Sequence, residues 1–180
     1  PTEPQRGAIE RGEGATESRD ADPDILTVAT ARAAADGFIR RIPPCPGGFS
    51  GRGVVVCAGG LDLFTNAWVC LRQLRALGCT LPVQLWHLGP DEMDSSMKAL
   101  VAGLGVECVD AHEVRVNSPA RILRGWELKS FALLHSRFAE VLLLDADNVH
   151  VRNPEDLFET PRVQETGAAL GPDRGRWQGG

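Results

Sequence analysis

Residues 53–60 read Gly53-Val54-Val55-Val56-Cys57-Ala58-Gly59-Gly60. A short β-branched run closed by glycine on both sides is the pattern of a buried strand. Beyond it Phe64, Ala67, Trp68, Leu71, Leu74 and Leu77 recur at three- and four-residue spacing, with Arg72, Gln73 and Arg75 off the stripe. That spacing predicts an amphipathic helix, and Gly78 is its natural stop. Pro82 to Leu88 reads as a second strand. Asp91 is expected to cap a second helix carrying Met93, Met97, Leu100, Val101 and Leu104, with Gly105 ending it. Val106 to Val109 gives a third strand.

The alternation continues. A polar loop containing Asn117-Ser118-Pro119 leads to a third helix marked by Trp126, Ser130, Leu133, Leu134 and Phe138. Val141-Leu142-Leu143-Leu144 is a fully apolar strand, expected at the centre of its sheet. Asn153-Pro154-Glu155-Asp156 opens a helical turn, with Asn as cap and Pro at the first helical position. Thr166 to Leu170 is read as one more strand. This succession of strands and helices predicts an α/β fold with an open, mainly parallel sheet covered by helices on both faces. In such sheets ligands bind beyond the carboxyl ends of the strands.

Residues 1–50 differ in texture. They hold six of the chain's twelve prolines, and residues 1–24 mix charges with Gly and Ser without period, as a linker or stem does. An alanine-rich stretch, Ile25 to Phe38, is the one candidate helix there. Residues 51–180 form the expected folded domain. The chain begins at Pro1 rather than Met and closes on Gly179-Gly180, so it is read as a fragment of a longer one.

Composition narrows the class. The 180 residues are 43% apolar and 24% charged, which excludes wholesale disorder. A net charge of −5 argues against a nucleic-acid partner. No apolar run approaches the roughly 18–20 residues needed to span a bilayer. The five cysteines (Cys45, Cys57, Cys70, Cys79, Cys108) show no metal-ligand spacing, and read as small buried hydrophobes. The four histidines lack HxxxH or HExxH spacing, and no GxSxG motif supports a serine hydrolase.

The sharpest chemical feature is Leu143-Leu144-Asp145-Ala146-Asp147-Asn148. Two carboxylates follow directly on a buried strand, and residues two apart on an extended chain point the same way. Converging carboxylates repel unless a cation lies between them, and hard oxygen ligands suit Mg²⁺ or Mn²⁺. The plain alternative is a solvated Asp/Asn turn. A second feature is Ala58-Gly59-Gly60, where glycines before a helix let the backbone approach a ligand and the helix start favours an anion. An ordinary turn explains it equally well. The third is Lys129, one of two lysines, placed where a cation meets a diphosphate or where a surface lysine is simply solvated. Trp126, on the apolar stripe, is expected in the core.

Two blocks of sequence carry a resemblance. One runs Gly51-Arg52-Gly53-Val54-Val55-Val56-Cys57-Ala58-Gly59-Gly60, then Thr65-Asn66-Ala67-Trp68 with Leu71-Arg72 and Leu74-Arg75, then Leu81-Pro82-Val83-Gln84-Leu85-Trp86. The other is Gly125-Trp126-Glu127-Leu128-Lys129 followed by Phe138 to Asp147. Together they resemble the mannosyltransferase family that includes the fungal Golgi α-1,2- and α-1,3-mannosyltransferases. The second block, with Asn153-Pro154 and Leu157-Phe158, is also similar to glycogenin-like glycosyltransferases. The likeness covers roughly residues 51–173, closing around Gly171-Pro172-Asp173.

The resemblance implies a GT-A fold, Mn²⁺ (or Mg²⁺) as cofactor, and a nucleotide-sugar donor, GDP-mannose foremost. It further implies transfer to a glycan or glycoprotein acceptor with retention of configuration. By the same likeness Asp147 binds the metal and Asp145 the metal or the donor ribose. Ala58, Gly59 and Gly60 face the nucleotide, Ala146 lies with the donor-binding residues, and Lys129 meets the diphosphate or sugar. The acceptor site and a further metal ligand are expected from chain beyond Gly180. The fungal relatives point to the Golgi lumen and a membrane anchor upstream of residue 1, with a cytoplasmic enzyme as the alternative.

Two other readings compete. Asp145-Ala146-Asp147-Asn148-Val149 also fits the DxDx(T/V) signature of haloacid-dehalogenase-type phosphatases, in which the first Asp is a nucleophile. That signature opens its domain, whereas three strand–helix units precede it here. The remaining reading is a truncated domain that binds nucleotide without catalysis.

Overall fold

The strand β1 (Arg52–Cys57) lies where the β-branched run predicts it, and four of its six residues are buried. The computed structural model describes residues 25–42, 44, 47–120, 123 and 125–169. The chain divides into two compact units, residues 1–46 and 47–180. In the first, the alanine-rich stretch forms α1 (Ile25–Ile39). The stem reading of residues 1–24 lies outside the described residues, as does the close of the resemblance at Gly171–Asp173.

In the second unit, β1 is followed by α2 (Gly60–Ala76), β2 (Val83–His87), α3 (Ser95–Ala102) and β3 (Val106–Asp110). Then come α4 (Ala111–Asn117), α5 (Glu127–His135), β4 (Glu140–Leu144), a 3-10 turn (Pro154–Glu159) and α6 (Pro161–Thr166). All four strands are parallel, in the order β3-β2-β1-β4.

Strand alternation divides the core between the two faces of the sheet. Val54, Val56, Val83, Leu85 and Leu144 pack with Phe64, Ala67, Leu71 and Leu74 of α2 and Val101 of α3. Val55 and Trp86 turn the other way, onto Leu128, Phe131 and Ala132 of α5 and Ala111 of α4. Trp86, fully buried, meets the Phe131 ring edge-on, with centroids 6.3 Å apart and planes at 81°. Burying such side chains contributes about 1.5–3 kcal/mol each.

Several expectations are corrected. The second helix is capped by Asp94, whose carboxylate accepts from the Met97 N–H at 2.8 Å, and not by Asp91. Residues 88–93 are spent on a turn first, in which Met93 is already buried. The helix closes at Ala102 with Gly103 as its C-cap, before Gly105, and Leu100 is exposed. The segment read as a loop through Asn117 contains α4, whose cap Asp110 accepts from His112 N–H at 2.8 Å.

In α5 the buried stripe is Leu128, Phe131 and Ala132, rotated from the expected one. Ser130, Leu133 and Leu134 are exposed, while Phe138 is buried beyond the helix end. Thr166 ends α6, which Gly167 terminates at φ 72°, and the expected strand is absent among the described residues. Its last residue, Leu170, lies outside them.

Among the described residues β4 lies at the edge and not the centre, pairing with β1 alone. After β3 the chain crosses back past β2 and β1 before laying down β4. The strand order therefore reverses between β1 and β4, and at such a switch point the loops leaving the two strands diverge to open a crevice.

Candidate active site

A pocket of about 340 Å³ occupies that crevice. Cys57, Ala58 and Gly59 line it from the end of β1, and Asp145, Ala146 and Asp147 from the end of β4. Gly125, Trp126, Leu128 and Lys129 close it from the start of α5, with Leu63, Leu88 and Glu92 opposite. Except for Gly60, every residue expected at a ligand site lines this one pocket.

On the β4 side, Val141 and Leu143 face α5, and Asp145 continues that parity. Its Oδ1 accepts from the Lys129 Nζ in an ion pair. Ala146 faces the opposite way and is buried in the core beneath α2. The strand itself ends at Leu144, and Asp145 to Asn148 form a turn closed by the Asn148 N–H to the Asp145 carbonyl at 3.2 Å. The carboxylates thus share the pocket through a turn and not through extended alternation.

Asp147 is exposed, and its charge raises the thiol pKa of Cys70 on α2, already raised by burial. Just beyond, His150 and Gln73 of α2 exchange two hydrogen bonds. The Gln73 amide donates to the His150 carbonyl at 2.7 Å, and the His150 N–H donates to Gln73 Oε1 at 3.2 Å. The turn is thereby fastened to α2.

On the β1 side, Gly59 leaves room for a side chain of the same protein. A Cβ there would stand 2.2 Å from Glu92 Oε2. That oxygen accepts from the Leu88 N–H at 2.8 Å, and the Glu92 carbonyl accepts from the Gly60 N–H at 2.9 Å. The first backbone donor of α2 is therefore engaged. Gly60 itself sits at φ 71°, where a side chain would be strained.

Trp126 is 80% exposed, contrary to its expected place in the core. It stands at the first turn of α5, and the sheet-facing stripe begins two residues later. Its indole instead lies against Lys129, whose Nζ is 4.3 Å from the ring centroid. Cys57 lies on the same side, and its thiol is pushed up to about 12, chiefly by burial, with Lys129 opposing and Asp145 adding to the shift.

Asp145 and Asp147 bring two carboxylates to the pocket wall, a chemistry that would suit a hard cation. No group of three His, Cys, Asp or Glu positioned to hold a metal occurs among the described residues. Two exposed carboxylates fit Mg²⁺ or Mn²⁺, which keep several coordination positions for water and substrate phosphates. Glu92 and Leu63, which line the pocket, carry no sequence signal of a site. Glu92 lies among the acids of Asp91-Glu92-Met93-Asp94, where helix capping is the obvious reading.

A parallel sheet flanked by helices, with this pocket at its switch point, is consistent with a GT-A-like glycosyltransferase domain. The family described as "Mannosyltransferase putative" matches residues 51–179, and the chain belongs to that family. It is 30% identical over 134 residues to the α-1,2-mannosyltransferase MNN21 of Candida albicans, covering 67% of this chain and 20% of the relative. To the α-1,2-mannosyltransferase MNN5 of Saccharomyces cerevisiae it is 31% identical over 128 residues, 69% of this chain and 22% of the relative. For MNN2 of the same yeast the identity is 28% over 130 residues, 71% and 22%. The chain thus spans about a fifth of the length of these curated relatives. The family match takes in the blocks that the phosphatase signature leaves without a role.

Proposed function

We propose that this chain carries the donor half of a mannosyltransferase. It binds a nucleotide-sugar, GDP-mannose, and serves transfer of the mannosyl group to a glycan or glycoprotein acceptor with retention of configuration. The observation that supports this most directly is the convergence of Asp145, Asp147 and Lys129 on one switch-point pocket. Sugar transfer leaves a nucleoside diphosphate, and catalysis lies in stabilising the negative charge that grows on it.

Asp145 and Asp147 would hold Mn²⁺ or Mg²⁺, which supplies Lewis-acid neutralisation of that charge when bound. Lys129 offers a second cation, while Ala58 and Gly59 wall the pocket opposite. Acceptor recognition belongs to the longer protein, as do a Golgi location and an anchor upstream of residue 1.

The test is calorimetric titration with GDP, GDP-mannose and UDP-sugars, with and without Mn²⁺. Guanine nucleotides are expected to bind only when Mn²⁺ is present. Asp147→Asn is expected to abolish that binding while leaving the melting temperature unchanged, because its side chain is outside the core. Metal-independent binding, or binding of UDP-sugars alone, would overturn the metal or the donor assignment respectively.

A further inference from the structure

We propose that Lys129 is an internal counter-ion: it occupies Asp145 in the metal-free protein and is handed to the diphosphate when a divalent cation takes its place. The inference rests on the reading that Asp145 and Asp147 hold that cation. Three observations carry it. The Lys129 ammonium is ion-paired to an oxygen that a metal would need. The same ammonium lies 4.3 Å from the Trp126 ring centroid, so it has a second resting place when the carboxylate is withdrawn. The pair is also half open to water, with side chains 25% and 50% exposed, and such pairs break cheaply.

Charge supplies the coupling. Among the described residues lining the pocket Lys129 is the basic one, beside the carboxylates of Asp145, Asp147 and Glu92. These described side chains sum to a negative charge, which opposes a diphosphate until a dication offsets it. Once a dication covers Asp145 and Asp147, the freed ammonium faces the incoming anion from the Trp126 side. Each ligand then favours the other's binding, and the linkage is reciprocal. Removing a nearby ammonium relieves repulsion of a dication in any case, so the hand-over is distinguished by movement of the ammonium itself when metal alone is added.

The test uses the 180-residue protein and its Lys129→Met variant. Binding of Mn²⁺ alone is followed by electron paramagnetic resonance, and binding of GDP by calorimetry at saturating Mn²⁺. The variant is expected to bind Mn²⁺ alone about two- to five-fold more tightly, the equivalent of one exposed ion pair. It is expected to bind GDP about tenfold or more weakly, the equivalent of a hydrogen bond to a charged group. Lysine-selective NMR of the wild type gives the structural readout, because Lys98 and Lys129 are the only lysines. Mg²⁺ alone is expected to move the Lys129 signal and speed exchange of its ammonium protons, leaving Lys98 unmoved.

Unchanged or weaker Mn²⁺ binding by the variant overturns the proposal. So does a Lys129 signal that stays in place until GDP is added. If the wild type binds no Mn²⁺ even with GDP, the metal reading itself fails, an outcome distinct from either of these.

Discussion

The ring of Phe138 lies directly against the backbone of Gly53, so that a Cβ on Gly53 would stand 2.4 Å from it. This contact sits where β1 begins and where the chain enters β4, and Phe138 is buried. A methyl group there must push the ring or the strand aside. Gly53→Ala is expected to destabilise the fold by about 1–3 kcal/mol. Urea denaturation would show this as a lower midpoint, and Gly53→Ala/Phe138→Leu should recover part of the loss because the two sites are coupled.

Trp86 and Trp126 provide a contrast between two indoles. Trp86 is fully buried between β2 and α5, and Trp86→Ala is expected to cost about 3–5 kcal/mol. Trp126 is exposed at the pocket mouth, so Trp126→Ala is expected to change stability by about 0.5 kcal/mol or less. Equal losses in the two variants would contradict the exposure of Trp126.

Glu155 links the 3-10 turn to the segment before β2. Its carboxylate accepts from the Thr80 N–H, from the Leu81 N–H at 3.2 Å and from the Thr80 hydroxyl at 3.2 Å. The Thr80 backbone donor is the main cause of a pKa held below the ordinary value of about 4.5. A carboxylate depressed on folding contributes stability that is fully present above its unfolded pKa and lost as pH falls through the folded one. The urea midpoint should therefore fall as pH drops below about 4.5. In Glu155→Gln the fall should be shallower, starting from a lower midpoint at pH 7.

Cys57 faces the pocket, yet its thiol is pushed up to about 12. The thiolate is the reactive form, so native Cys57 should resist alkylation. With Cys45 replaced by Ser, iodoacetamide at pH 8 is expected to label Cys57 slowly in the native protein. In denaturant it should label at the rate of an ordinary cysteine, and peptide mass spectrometry would separate the two.

The sheet-forming half of the sequence was legible wherever apolar period and glycine punctuation agreed. Val54–Val56 and the stripe from Phe64 to Leu74 have one physical reading each. α4 escaped because Ala111 to Asn117 is short, carries two valines and has one buried residue, so no period develops. The N-terminus of α3 was misplaced because Asp91 and Asp94 are both good caps. The hydrogen bond from the Met97 N–H to the Asp94 carboxylate decides between them.

Strand order was not legible at all. A parallel strand reads as a continuous apolar run whether it is central or lateral. Among the described residues β4 is the outermost strand on its side, and a groove beside it is lined by Leu157, Phe158 and Val163. At the site, Asp145 and Asp147 stood out because charge follows a buried strand so abruptly. Trp126 was misread because an aromatic at helical spacing belongs more often to a core. Lys129 was identifiable, but its pairing with Asp145 required knowing that α5 and the odd residues of β4 share one face of the sheet.

The seam between β1 and β4 also fixes when the pocket comes into existence. On a nascent chain leaving the ribosome, β1, β2 and β3 can associate as soon as they emerge, since each pairs with its sequence neighbour. The last pairing, Val56 against Leu144, must wait for nearly ninety further residues, and long-range closures of this kind are slow. Until then Ala58 and Gly59 face water, and Asp145 and Asp147 do not yet exist as a partner wall. A ligand that bridges the two loops therefore rewards only the completed register, and its binding is a direct readout of finished assembly.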